Sequence, residues 1–424
     1  MTLRTFVTAS LVLIVLILTS PLSAPAATVT LSDCLSRSAI GNPALKVKSY
    51  DETISAENVT LADSAYFPRI DLLGGYTAQL APQQIRFNNN TLPTQDADYG
   101  FFSLTFTQLL YDFGRRDAGY RQAALLREAT ADLYHGQEKE LFLQVVKGYY
   151  GVLHSQKLLL TLDDEVKRLS EHLRVAKNLH EQGVVTRNDL LQAEVRLSGS
   201  RQRRLSAENE VEKGWLLLNY LTGQPEAFRG DLEESVTEIS APGGGNDITS
   251  RPEYRAELKS VAAGEFDVEE NRKGFYPELF FKGDLNYLQN STVKEQVLYA
   301  ATLGVRFNLF EGNATTARLR QAVARRSRNE ARLNDLTAQF RLELALAGRD
   351  AAVARERIAV TEESIRQAEE NLRINRDRYL EKVGTATELL DAQTLLTQSR
   401  VDSNTALYDY QVALARVKKA RGDL

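Results

Sequence analysis

The 424-residue sequence has one cysteine, Cys34, and its only methionine is the first residue. A single cysteine excludes an intrachain disulfide, so nothing covalent braces the fold. Soft metal ligands are equally scarce: the four histidines (His135, His154, His172, His180) do not cluster with cysteine or carboxylate at ligand spacing. The sequence therefore calls for no metal and no cofactor. An excess of one charge is also missing, because 52 Lys and Arg face 56 Asp and Glu with the signs interspersed. Nucleic acid is not expected as a partner. After residue 26 no apolar run is long enough for a membrane-spanning helix. No nucleophile–base pair or phosphate loop stands out, and the carboxylates are spread along helical stretches, so an enzyme is not expected.

Proline is absent where its absence matters most. None occurs between Pro93 and Pro225, which permits one helix from Gly114 to about Gly183, on the order of 100 Å at about 1.5 Å per residue. Val145, Val152, Leu159, Val166 and Leu173 recur every seven residues, each followed three positions later by Gly148, Ser155, Leu162, Leu169 and Ala176. Such a seam favours a left-handed supercoil and needs a partner helix. The partner follows a short polar turn, Gly183 to Asp189, as a second helical run from Leu190 to about Leu221. The two form a helical hairpin too long for an ordinary globular domain.

The hairpin occurs twice. Adding 199 carries the seam onto Leu344, Ala351, Ile358, Ile365 and Leu372, and Asp189-Leu190-Leu191-Gln192-Ala193 onto Glu388-Leu389-Leu390-Asp391-Ala392. Upstream the offset is 209, carrying Pro43 onto Pro252 and Phe67-Pro68 onto Tyr276-Pro277. The chain reads as an internal duplication with ten extra residues in the first copy, between Pro68 and Leu110.

Residues 1–26 read as a secretory signal, with Arg4, an apolar core at 11–18 and a small-residue site at Ala24-Pro25-Ala26; a membrane anchor is the competing reading. The first repeat then covers 27–224, a Pro- and Gly-rich connector 225–250 and the second repeat 251–424. Arginine clusters at 201–204 and 325–328 read as solvated helix faces.

Each repeat opens with a helix from Pro43 or Pro252, after which the period changes to two. Ile70, Leu72, Gly74 and Tyr76 alternate with Asp71, Leu73 and Thr77; after a polar loop at 81–98, Phe102, Leu104 and Phe106 alternate with Ser103, Thr105 and Thr107. In the second copy Leu279, Phe281, Leu285 and Tyr287, then Tyr299 through Leu309, repeat the pattern. Strands with one aromatic-rich apolar face and one polar face fit a membrane barrel with a wet lumen, or a half-buried soluble sheet. Four strands cannot close a membrane barrel, so a barrel would have to be shared between chains.

At this level the chain resembles the TolC family of outer-membrane factors, the trimeric channel-tunnels of efflux pumps and type I secretion. The resemblance spans the mature chain and rests on Asn42-Pro43, Leu110-Tyr111-Asp112-Phe113-Gly114, Leu309-Phe310-Glu311-Gly312, Tyr149-Tyr150 and the two hairpin tips. It implies a mainly α fold with a membrane β part: helical hairpins forming a periplasmic tunnel, and four strands per chain in a trimeric barrel. It further implies a homotrimer in outer-membrane lipid that gives passive exit, with a periplasmic adaptor and an inner-membrane pump as partners. A periplasmic coiled-coil adaptor or structural protein without a channel is the alternative. An adaptor would carry a lipoyl-like β domain between the helices of a hairpin; here paired strands precede each hairpin instead.

The resemblance also suggests site residues. Glu388 and Asp391 match carboxylates lining the periplasmic constriction of the prototype, and Asp189 and Tyr379 match members of a network that holds it closed. The tip glycine Gly183 becomes Lys382 in the second copy, and Gly384 stands where the prototype has that network's arginine. Val184, Val185, Thr186, Val383, Gly384 and Thr385 are the expected adaptor contacts, with Ala386 beside them; packing the turn internally is the competing role for the apolar ones. For the carboxylates the competing role is local capping or pairing.

Overall fold

The computed structural model describes residues 28–88, 90–234 and 247–424. The expected signal and the Gly-rich middle of the connector lie outside the described residues. In chain order the elements are β1 (Thr28–Val29), α1 (Leu31–Gly41), α2 (Pro43–Ser64), β2 (Arg69–Ala78), β3 (Gln83–Phe87), β4 (Asn90–Gln95), β5 (Asp98–Tyr111), α3 (Arg115–Glu181) and α4 (Arg187–Thr222). There follow β6 (Asp231–Leu232), α5 (Pro252–Lys273), β7 (Glu278–Leu288), β8 (Val297–Arg306), α6 (Ala314–Leu380) and α7 (Ala386–Arg421).

The two long helices have 67 residues each and their return helices 36 each, so the hairpins of the two copies match in length to the residue. On α3, Val145 and Val152 are wholly buried, each contributing roughly 1.5–3 kcal/mol of apolar burial, and Leu162, Leu169 and Ala176 continue the stripe. The matching stripe on α6 is alanine-rich (Ala347, Ala351, Ala354, Ala368), so α7 lies against a smoother surface there. Helix α3 is central: it packs against α2, α4, α5 and α7.

The short helices stack end to end along the long ones. Asn42 caps α2 through Ala44 and Leu45, and its Nδ2 donates to the last-turn carbonyl of Leu221 on α4 at 3.0 Å. A Cβ at Gly223 would lie 2.5 Å from the Gly41 carbonyl oxygen, so only glycine fits this junction, where φ is +67°. The second copy solves the same problem differently: Ser250 Oγ donates to the Arg421 carbonyl.

A waist binds the two copies. The parallel pair β1–β6 lies over α3, and the Tyr149 hydroxyl reaches the carbonyl oxygens of Glu233 (2.7 Å) and Val29 (3.1 Å). Arg251, 2% exposed, lies 3.7 Å over the Phe340 ring and pairs with Glu343 at 2.7 Å. Lys419 joins Glu343 to Glu140. The arginine clusters are not merely solvated: Arg203 binds the buried Glu165, Arg204 binds Asp163, and Arg325 binds Asp267, tying neighbouring helices together.

One antiparallel sheet has the order β2-β5-β7-β8. Its register places Leu72, Leu104, Leu285 and Tyr299 in one row, and Asp71, Thr105 and Asp284 in the next. One face is thus apolar across all four strands; the other is polar on β5 and β7 around Ser103, Thr105, Asp284 and Asn286 but carries Leu73, Leu298 and Ala300 on the outer strands. Leu72 and Tyr299 remain over 70% exposed on the apolar face. Strands β2 and β8 each keep one unpaired edge. Two expectations are corrected. The polar loop at 81–98 contains the hairpin β3–β4, tied to the second copy by Asp96 to Ser291 at 2.6 Å, with Pro93 tolerated because β4 is an edge. The last strand stops at Arg306, leaving Phe307, Leu309 and Phe310 outside it and exposed.

Strand-to-helix corners are built alike. Asp112 accepts hydrogen bonds from the backbone of Gly114 and Arg116 and pairs with the Arg116 guanidinium, which also donates to the Ala65 and Leu109 carbonyls. In the second copy Glu311 takes the equivalent position, bonded to Thr315 and Arg318.

Candidate functional site: the hairpin tips and the seam between them

Both long helices end in the same turn. At the first tip Val184 N–H donates to the Leu179 carbonyl and Gly183 N–H to that of His180; at the second, Val383 and Lys382 donate to Arg378 and Tyr379. This doubly bonded termination needs a left-handed residue, supplied by Gly183 at φ +72° and by Lys382 at φ +63°. Holding a lysine there costs about 1 kcal/mol. Gly384 has ordinary φ and is glycine for another reason: a Cβ would lie 3.0 Å from Arg378 Cβ and 3.2 Å from Tyr379 N. A larger residue there would have to push the last turn of α6 back by a few tenths of an ångström.

Each return helix then starts with a reciprocal cap. Thr186 Oγ1 accepts from Asp189 N–H while the Asp189 carboxylate accepts from Thr186 N–H at 3.0 Å; Thr385 and Glu388 repeat the exchange. Asp189 and Glu388 therefore serve first as caps. Glu388 also lies 3.7 Å from Arg378. Asp391 is engaged across the hairpins, its carboxylate 3.1 Å from Arg196 on α4, and Thr387 Oγ1 meets Gln192 at 3.3 Å. Val184 and Val383 are exposed at the two turns, Val185 is half-buried with its carbonyl on His180, and Ala386 is buried.

Tyr379 does not hydrogen-bond Asp189. Its hydroxyl is buried without a partner, and its ring lies 5.7 Å from that of His172 on α3. Around them, between α3, α6 and α7, is a cavity of about 680 Å³ with Val175, Leu372, Leu389 and Leu396 in its walls. Burial and, second, the charge of Asp189 raise the tyrosine pKa; burial lowers that of His172. Sequence reasoning missed His172, Arg168, Gln393 and Arg196. His172 was findable, because with Glu165 it interrupts the buried stripe Leu162, Leu169, Ala176 at an apolar position. Arg196 was not, since its partner is 195 residues away.

No described helix is long and apolar enough to cross a membrane, and no group of metal-binding side chains occurs among the described residues. The family model described as "Outer membrane efflux protein" matches residues 34–224 and 248–423. Among characterised relatives, the protease secretion protein PrtF of Dickeya chrysanthemi is 24% identical over 78% of this chain and 75% of its own length. The outer membrane protein TolC of Vibrio cholerae is also 24% identical, over 87% of this chain and 85% of its own. The CmeC outer membrane channel of Campylobacter jejuni has the same fold, with a TM-score of 0.83, 15% identity and coverage of 93% of this chain and 85% of that one. VceC of Vibrio cholerae matches at a TM-score of 0.81, with 17% identity over 92% and 96%. With the match spanning both repeats, the chain belongs to the outer membrane efflux protein family and is an outer-membrane channel-tunnel of efflux or secretion that extends into the periplasm.

Proposed function

We propose that three copies close a twelve-stranded barrel through the free edges of β2 and β8, and that the resulting duct passively carries cargo from a periplasmic adaptor and an inner-membrane pump to the exterior. The observation that carries this reading is the sheet itself. Its four strands present an apolar face with nothing to cover it and two unpaired edges, a combination that membrane lipid and neighbouring strands together would satisfy. The long hairpins, about 100 Å by the helical rise, then hang from the barrel into the periplasm, so that both tips meet the adaptor. In this arrangement Val184, Val185, Thr186, Val383, Gly384 and Thr385 form the docking end, and Asp391 with Glu388, Asp189 and Tyr379 surround the entrance. Asp391 would bring its charge partly neutralised by Arg196. Catalysis has no place in this reading.

A membrane-impermeant thiol reagent on intact cells tests the topology. A cysteine replacing Lys294, beyond the β7–β8 turn, should label and one replacing Arg187 at the first tip should not. The opposite pattern would invert the chain and remove the proposal.

A further inference from the structure

The two hairpins meet near their tips across polar atoms left without partners. Arg168 Nε and His172 Nε2 on α3, Tyr379 Oη on α6 and Gln393 Oε1 on α7 all line the same cavity, and each is buried without a hydrogen bond. Interfaces rarely seal several such atoms, since each costs roughly 1–3 kcal/mol while it stays closed. Parting the seam would hydrate all four, a gain that offsets part of what closure buries.

His172 makes that balance depend on protons. Its residue is 6% exposed, and its charge would have no free carboxylate to meet. On its own helix Glu171 is bound by Arg174 at 2.6 Å, and Arg168 and Lys167 add positive charge. From α6, Glu369 is bound by Arg400 and Asp377 by Arg373, while Arg376 is a further cation. From α4, Asp189 is held in its cap; α7 lines the cavity with Leu389, Leu396 and the neutral Gln393, and brings no charge to it. An imidazolium here would be buried among cations and committed carboxylates.

We propose that His172 is a proton-sensitive latch: neutral, it permits the seam between the hairpins to close, and protonated, it drives the seam apart and opens the periplasmic end. The inference rests on the channel reading above and adds a trigger to it. Burial lowers the pKa of His172 in the closed state, so the closed state binds fewer protons than the open one. Closure is therefore favoured above the ordinary imidazole pKa of about 6.5 and lost as pH falls below it, by up to about tenfold per pH unit.

Pulsed electron–electron distance measurement tests this on the full-length protein in nanodiscs. Nitroxides on the Lys177→Cys, Lys382→Cys double variant, diluted with unlabelled chains, report across the seam within one protomer. From pH 7.5 to 5.0 the longer-distance population is expected to grow at least about fivefold. In the His172→Phe and the conservative His172→Gln backgrounds it should not change with pH. A distance independent of pH in the parent, or a response retained in both His172 variants, overturns the proposal. The readout needs no conduction, so a failure to conduct would count against the channel reading alone.

Discussion

The guanidinium of Arg196 lies 3.1 Å from the carboxylate of Asp391, joining the first hairpin to the second just inside the tips. Asp391 corresponds to Gln192 in the first repeat, so the duplication has placed an acid on one copy only and answered it with an arginine from the other. Both side chains are about half exposed or more, at 47% and 62%, so the pair contributes at most about 1 kcal/mol to stability. Its consequence is electrostatic. In a trimer, Arg196→Gln should strengthen cation preference at the entrance and Asp391→Asn should weaken it, with trimer yield unchanged in both. Reversal potentials in a salt gradient measure the two effects; identical values for both variants and the parent would take this pair out of the pore.

The second tip carries backbone strain that the first avoids. Lys382→Gly should slow hydrogen exchange at the amides of Val383 and Lys382 about threefold to fivefold, the equivalent of roughly 1 kcal/mol. Gly183→Ala should have the opposite effect at the first tip. Gly384→Arg should disorder the turn, because the glycine packs against Arg378 and Tyr379; a variant exchanging like the parent would show that the turn has more room than its geometry allows.

The repeat lengths, the long helices and the alternating strands were legible because each follows from a periodicity that survives over many residues. The β3–β4 hairpin was not, because Gln83 to Gln95 is polar, contains Pro93 and has no alternating apolar face to report it. The caps at Thr186 and Thr385 went unread, although each is a hydroxyl followed three residues later by an acid, because the resemblance directed Asp189 and Glu388 toward the pore. Contacts between the copies, such as Arg196 with Asp391 or Arg168 with Thr397, join residues some 200 apart and leave no local pattern.

The strand-to-helix corner depends on Asp112. Its side chain is 5% exposed and that of Arg116 13%, so Asp112→Ala would strand a largely buried guanidinium and uncap α3, at a cost of about 3 kcal/mol. For the proposed trimer, dissociation at a lower temperature on heating in mild detergent is the expected outcome. Asp112→Glu should recover part of it, by analogy with Glu311 in the second copy.

Cys34 is buried under the waist, and burial pushes its thiol up to about 11. At pH 7.4 the native protein should therefore resist a maleimide that labels the denatured chain fully. Rapid native labelling would mean that α1 leaves its place on α3 and α4.

The central claim is that copies of this chain enclose a continuous duct. Current recordings from the purified protein in a planar lipid bilayer test it most directly. Discrete, uniform conductance steps are expected, larger at pH 5.0 than at pH 7.5. A folded protein that inserts into the bilayer and passes no current at either pH would contradict the duct.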